Sequence, residues 1–372
     1  MRYFFASLLV FVAAIGGGYC FSLFAEQMER HSLLSNAIPV QTPIDDAEEN
    51  EAPDAGFRIV VNLASRILTL YENGIKTRLY PVAVGKEWTP TPTGRFVVEE
   101  KQEDPAWADP KREEIVVPPG ENNPLGTRWM GIGGYYGIHG TNAPSSIGDY
   151  MSNGCIRMFD EDAQELFSIV PTGARVEIIY QRIVVEKQAD GTVIFYCYPD
   201  GYGWQEVSVK DAMEALRGYG VQDFADPDVI AAYIEASAGE PLLIAKSYPV
   251  RTSGVGDTKE TDGAEGADGT DLNFFAVQEG EDIYLPAIPL FHAFQMHWEW
   301  NAEQQTITTG RRVVPGAQKG AGIYLKAEHL EKALHLGGEL TEAGQFELTM
   351  GKLKPQKGTA EQVPPRQSHD LT

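Results

Sequence analysis

From Phe57 onward the chain is written in short runs of aliphatic, β-branched and aromatic residues, each closed by turn chemistry. This punctuation limits the fold more than any other feature. Phe57-Arg58-Ile59-Val60-Val61-Asn62-Leu63 is followed by Ala64-Ser65, then by Ile67-Leu68-Thr69-Leu70-Tyr71. Asn73-Gly74, the dipeptide that suits a two-residue turn with both central φ angles positive, leads into Thr77–Val84. Phe96–Glu100 and Arg175–Tyr180 read as further strands. Such runs are too short and too branched for helices, and their regular spacing predicts a mostly β sandwich or barrel. One short helix interrupts them. Asp160-Glu161-Asp162 places acids at a helix N-terminus, Leu166, Phe167 and Val170 form an apolar stripe, and Pro171 ends it.

Within this β-rich stretch lies Cys155, in Ser152-Asn153-Gly154-Cys155-Ile156-Arg157-Met158, sixteen residues after His139 in Gly137-Ile138-His139-Gly140-Thr141. A free thiol is mostly protonated at neutral pH, and a neighbouring imidazole lowers its pKa to roughly 3.5–7.5. Glycines let backbone N–H groups approach a developing oxyanion with no Cβ in the way. An arbitrary Cys/His pair is more often a small buried cysteine near an ordinary histidine.

The surrounding residues change that balance. His139-Gly140-Thr141-Asn142, Ser145-Ser146-Ile147-Gly148 and Ser152–Met158 together resemble the signature of the L,D-transpeptidase (YkuD-type) catalytic domain. Val84-Gly85-Lys86 and Thr91-Pro92-Thr93-Gly94-Arg95-Phe96 resemble an upstream block of that family, in the right order. The resemblance covers residues 56–180. Asn153 departs from it, standing where many members carry histidine, and Arg157 occupies the place of an asparagine in some members.

The resemblance implies a peptidoglycan L,D-transpeptidase that forms 3–3 cross-links through a Cys155 thioester, with release of D-Ala. His139 is the expected base, oriented by the Gly140 carbonyl, with Asp149 as a side-chain alternative. Cys155 N–H and Gly154 N–H are the expected oxyanion donors. Ser152 and Arg157 are expected donors to a substrate carboxylate or to the local loop, and Arg157 has a second reading as an ion-pair partner of Asp160 or Asp162. Trp129, Tyr135 and Tyr136 are candidate walls of a donor groove. Two other functions use or spare the same residues: an L,D-carboxypeptidase that gives the thioester to water, and a non-catalytic cell-wall-binding scaffold.

The remaining sequence predicts six further segments. Tyr3–Ala25 is a run of twenty-three uncharged residues. That is enough to span about 30 Å of hydrocarbon at about 1.5 Å per residue. Leu23-Phe24-Ala25 is a poor cleavage site, so residues 1–25 are expected to be a signal anchor that holds the chain at the membrane with its catalytic domain in the cell envelope. Residues 26–55 carry eight acids against Arg30 and read as a disordered stalk. The catalytic domain is placed at 56–181 and a small α+β module at 182–250. In the latter, Asp190-Gly191 makes a hairpin, Ser208…Asp211 opens one helix and Asp226-Pro227 another. Tyr196, Tyr198, Tyr202 and Trp204 read as core packing rather than a sugar-stacking platform.

Residues 251–272 form an acidic disordered linker. Residues 273–350 resemble the small stalk-like domain named after the N-terminal domain of copper amine oxidases, and 351–372 form a disordered tail. His292 and His297, five apart, fall off a common helical face, so no metal or other cofactor is expected. Three cysteines make no disulfide framework, and Cys197 reads as core. With 30 Lys+Arg against 53 Asp+Glu, a net charge of −23, the chain lacks the basic clusters a nucleic-acid partner needs. Peptidoglycan stem peptides and the cell wall are the expected partners.

Overall fold

The computed structural model describes residues 56–109, 112–253 and 270–350. The expected signal anchor, stalk and tail lie outside these residues. Among the described residues no helix is long and apolar enough to cross a membrane.

The chain is mostly strand, as its punctuation predicts. The first part contains β1 (Phe57–Asn62), β2 (Ile67–Glu72), β3 (Ile75–Gly85), β4 (Gly94–Val97), β5 (Glu100–Glu103), β6 (Trp107–Asp109) and β7 (Arg112–Val117). It continues with β8 (Arg128–Gly133), β9 (Tyr136–His139), β10 (Tyr150–Ser152), β11 (Ile156–Met158), helix α1 (Asp160–Ile169) and β12 (Arg175–Ile179). Asn73 and Gly74 adopt φ of 51° and 80°, so the β2–β3 hairpin forms at the predicted dipeptide.

A curled sheet runs in the order β4-β12-β1-β2-β3-β11-β9-β8-β5, with β10 also on β3. Its curl comes from β3. Residues Ile75–Pro81 pair with β2, whereas Val82 and Ala83 pair with β11, and Val84 and Gly85 with β10. One long strand thus serves two directions of the sheet. Alternation sets what is buried: Ile59 and Val61, Leu68 and Leu70, Met130 and Ile132, and Ile156 and Met158 all enter one core. Ala163 and Leu166 of α1 pack into it as well. Each fully buried Leu or Ile contributes about 1.5–3 kcal/mol.

Two local expectations differ. Phe96–Glu100 is not one strand, because Val98 turns inward, fully buried, and its N–H donates to the Ala174 carbonyl (2.9 Å). That turn separates β4 from β5. Asp160 does not cap α1, whose N-cap residue is Phe159 with no side-chain cap bond. Its carboxylate instead accepts from Thr127 N–H (2.7 Å) and Thr127 Oγ1 (2.8 Å).

Beyond β12 come β13 (Ile183–Lys187), β14 (Thr192–Cys197), α2 (Val209–Arg217), α3 (Pro227–Ala236) and β15 (Leu242–Ser253). Local chemistry sets their ends. Gly191 at φ 87° turns the β13–β14 hairpin, Ser208 and Asp211 form a complete capping box on α2, and Asp226 caps α3 ahead of Pro227. Tyr196, Tyr198 and Tyr202 are buried and Trp204 is half-exposed.

The first compact unit ends at Lys246 and the second begins at Ser247. The second unit contains β16 (Thr270–Glu279), β17 (Asp282–Pro286), α4 (Ala287–Ala293), β18 (Glu299–Asn301), β19 (Thr306–Thr309) and β20 (Arg312–Pro315). It ends with β21 (Ala317–Lys319), β22 (Gly322–Lys326), α5 (Leu330–Leu334), β23 (Leu336–Leu340) and β24 (Phe346–Met350). Leu285, Leu290, Phe291, Leu325 and Phe346 share its core. The two ends of the expected acidic linker are strand rather than linker. β15 runs through Ser253, pairing Val250–Ser253 with Phe346–Thr349, and β16 begins at Thr270.

Candidate active site

β9 and β11 are parallel neighbours, with Ile156 opposite Ile138 and Arg157 opposite His139. Residues directly opposite in a ladder share a face, and successive residues alternate. Ile138, Ile156 and Met158 fill the core. His139 and Arg157 therefore project from the other face. Cys155, immediately before β11 and half-buried, has its thiol 3.5 Å from the Tyr135 carbonyl and is close enough to Arg157 to feel its charge. The adjoining antiparallel β8 sets Trp129 opposite His139, and the two rings stack with centroids 5.8 Å apart and planes 25° apart. The Trp129 ring occupies the space that a Cβ on Gly137 would need, so a glycine there is a condition of the stack.

His139 Nδ1 lies 2.6 Å from the Gly140 carbonyl oxygen. A carbonyl only accepts, so Nδ1 carries the proton and Nε2 keeps its lone pair. The ring is buried, 3% exposed. Burial pushes its pKa down to about 4; the Gly140 bond opposes the shift and the Arg157 charge adds to it. Burial also pushes the Cys155 thiol up, against the Gly137 backbone and the Arg157 charge, which pull it down. Both groups lose solvation, which penalises each charged form, so burial works against the thiolate–imidazolium pair.

Arg157 is the cation on this face. Among the described residues its Nε is buried without a hydrogen-bond partner. Burial lowers its pKa, and Cys155 acts against that shift. Among the described residues it makes no ion pair with Asp160 or Asp162, the structural alternative read from the sequence. The Asp160 oxygens are taken by Thr127 and Gln164.

Ser152 and Gly154 shape the thiol loop. Ser152 Oγ donates to the Cys155 carbonyl (2.5 Å) and accepts the Gly154 N–H (3.1 Å). The Gly154 N–H, expected as an oxyanion donor, is therefore already engaged, and Ser152 serves the loop rather than facing a ligand. Gly154 holds φ at 117°, and a Cβ there would lie 2.7 Å from the Tyr136 ring. Asp149 bonds through its carbonyl to Val84 N–H, on the strand that carries Gly85. Of the expected groove walls, Tyr135 is 89% exposed, and Tyr136 packs against the core. Sequence reasoning missed the support behind the loop: Lys86, Thr89, Thr91 and Tyr202. Thr91 stood in the upstream block without a role, and nothing local in Tyr202 signals its contacts.

The L,D-transpeptidase catalytic domain family (YkuD) matches residues 56–178. A putative L,D-transpeptidase YkuD of Bacillus licheniformis is 45% identical over 123 residues, 33% of this chain and 65% of that protein. A putative L,D-transpeptidase YqjB of Bacillus subtilis is 35% identical over 167 residues, 42% of this chain and 92% of the relative. A probable L,D-transpeptidase ErfK/SrfK of Salmonella typhimurium is 39% identical over 162 residues, 40% and 49%. The chain thus spans just under two thirds of the length of the Bacillus YkuD proteins and about half that of ErfK/SrfK. Among solved structures, an L,D-transpeptidase of Enterococcus faecium superposes over 34% of this chain and 50% of its own, with 26% identity and a TM-score of 0.30.

Proposed function

This chain belongs to the YkuD family of L,D-transpeptidase catalytic domains, and we propose that it is a peptidoglycan L,D-transpeptidase with Cys155 as nucleophile and His139 as base. What supports the proposal is the β9–β11 register, which pairs His139 with Arg157 two residues after Cys155, together with the Nδ1–Gly140 bond, which leaves the Nε2 lone pair to accept a proton.

With burial disfavouring both charged forms, proton transfer accompanies attack. Cys155 Sγ bonds to the carbonyl carbon of the third stem residue as its proton passes to His139 Nε2. The Cys155 N–H and the Arg157 guanidinium stabilise the resulting oxyanion; losing one such donor costs about 3–4 kcal/mol of barrier. The bond to D-Ala breaks, its nitrogen takes the proton from His139, and a thioester remains. A side-chain amine of a second stem then attacks the thioester and gives its proton to His139. The carbon–sulfur bond breaks, the proton returns to sulfur, and a 3–3 cross-link is left.

The same proposal extends to the chain's setting. The uncharged run Tyr3–Ala25 supports a signal anchor in the cytoplasmic membrane, with residues 26–55 as a stalk and the catalytic domain in the cell envelope. Residues 182–246 are read as an α+β extension of the catalytic unit, and the acidic stretch between β15 and β16 as a linker. The aromatic and hairpin pattern over 273–350 supports a copper amine oxidase N-terminal-like stalk domain. The test is a muropeptide digest after incubation of the full chain with tetrapeptide-bearing peptidoglycan. Dimers joined 3–3 are expected. Shortened monomers alone would indicate a carboxypeptidase, and an unchanged digest would indicate a scaffold.

A further inference from the structure

The thiol loop is held by more than the catalytic strands. Ser152 is 1% exposed, and its hydroxyl is committed to Gly154 and Cys155. Its carbonyl accepts two more bonds, from Lys86 N–H (3.0 Å) and Thr89 Oγ1 (3.2 Å). The turn Gly85–Thr91 therefore grips the nucleophile's backbone through one residue. That turn is itself closed, with Gly85 N–H donating to Thr91 Oγ1 (2.8 Å) and Thr89 N–H to the Lys86 carbonyl (3.0 Å).

A single side chain from beyond the family match bridges the turn's two ends. Tyr202 OH donates to the Gly85 carbonyl (2.7 Å) and accepts from Thr91 N–H (3.4 Å). The Tyr202 ring is 6% exposed, edge-on to Tyr150 at 4.9 Å and stacked on Tyr180 at 5.5 Å. Its backbone is fixed as well. Tyr202 N–H donates to Tyr180 OH (3.1 Å), which donates to Asp200 (2.5 Å), and Asp200 also receives Trp204 N–H (3.0 Å) and Gln205 N–H (3.1 Å). The hydroxyl thus has little freedom, and it is spent on the turn rather than on water.

We propose that Tyr202 is a positioning residue for Cys155, acting through the Gly85–Thr91 turn and Ser152, so that residues following the YkuD domain complete its active site. The proposal rests on the transpeptidase reading for its consequence, but its geometry does not. A contact that merely tethered the two segments would leave the reactivity of each folded molecule unchanged. A contact on this turn changes where the thiol sits relative to His139 Nε2.

The test uses the full chain with Tyr202→Phe, which keeps the stacked ring and removes only the hydroxyl. Acylation of Cys155 by a carbapenem is followed by intact mass over a range of concentrations, and alkylation by iodoacetamide is followed in parallel. The maximal acylation rate is expected to fall about 10-fold, the kinetic equivalent of one lost hydrogen bond, with the half-saturating concentration unchanged. Thr91→Val removes the acceptor of Gly85 N–H in the same turn and is expected to act in the same direction if Tyr202→Phe folds poorly. Tyr219→Phe deletes a hydroxyl bonded to the Val185 carbonyl (3.1 Å) in the same segment and is expected to leave both rates unchanged. Folded Tyr202→Phe with wild-type acylation and alkylation rates would overturn the proposal. Slower alkylation in Tyr202→Phe, in a protein whose wild type makes no cross-links, would sustain the positioning role and overturn only the transpeptidase reading.

Discussion

Arg157→Met separates the chemistry of the site from its architecture. Among the described residues Arg157 Nε is buried with no hydrogen-bond partner, and a thiolate at Cys155 favours the guanidinium. An unsatisfied buried donor costs about 1–3 kcal/mol. Methionine keeps much of the apolar stem, so removing the charge is expected to stabilise the fold by about 1 kcal/mol. For a unit of this size that raises the unfolding midpoint by about 2–4 °C. Reactivity is expected to move the other way, because the Arg157 charge pulls the thiol pKa down. Thermal unfolding of wild type and Arg157→Met at pH 7, with carbapenem acylation of each, is the assay. Stability gained with acylation lost by tenfold or more supports a cation held for the sulfur and the oxyanion. A destabilisation above about 1 kcal/mol would refute it and make Arg157 a structural ion-pair residue instead.

Three further outcomes follow from the same geometry. His139 has a folded pKa of about 4, below its ordinary 6.5, so the unfolded chain takes up the proton first as pH falls. Its contribution, about 3 kcal/mol, is complete above pH 6.5 and is lost between pH 6.5 and 4; urea unfolding across that range should show a steeper acid limb than in His139→Gln. Iodoacetamide alkylation of Cys155 should be slow at pH 7 and rise about tenfold per pH unit towards pH 9, whereas a plateau from pH 5 to 8 would mean a preformed ion pair. Gly154→Ala should cost about 1–3 kcal/mol and most of the acylation rate, because φ of 117° and the Tyr136 ring both oppose a Cβ; unfolding midpoints and acylation rates measure the two effects.

What was legible in the sequence was what short-range chemistry controls. Asn73-Gly74, Asp190-Gly191, the Ser208/Asp211 box and Asp226-Pro227 each impose local geometry by their own backbone preferences, and each marks the turn or helix start it suggests. The pairing of the His139 and Cys155 segments is suggested only by the family resemblance, since a parallel pairing of β9 with β11 has no local signature. Burial was not legible. A neighbouring imidazole favours a thiolate, and the sequence carries no sign of the desolvation that opposes it at both Cys155 and His139. Gly154 read as an oxyanion donor because its N–H was assumed free, and Ser152 Oγ takes it. Tyr202 lies 117 residues from Gly85, so only the folded chain brings its hydroxyl to the turn.

In the proposed reaction Cys155 carries the acyl group. Folded full chain is incubated with a tetrapeptide donor, quenched in acid and examined by intact mass and peptide mapping. A donor adduct lacking D-Ala is expected on the peptide that contains Cys155, absent from Cys155→Ala and greatly slowed in His139→Gln. An adduct that persists in Cys155→Ala, or D-Ala release with no dependence on His139, would contradict it.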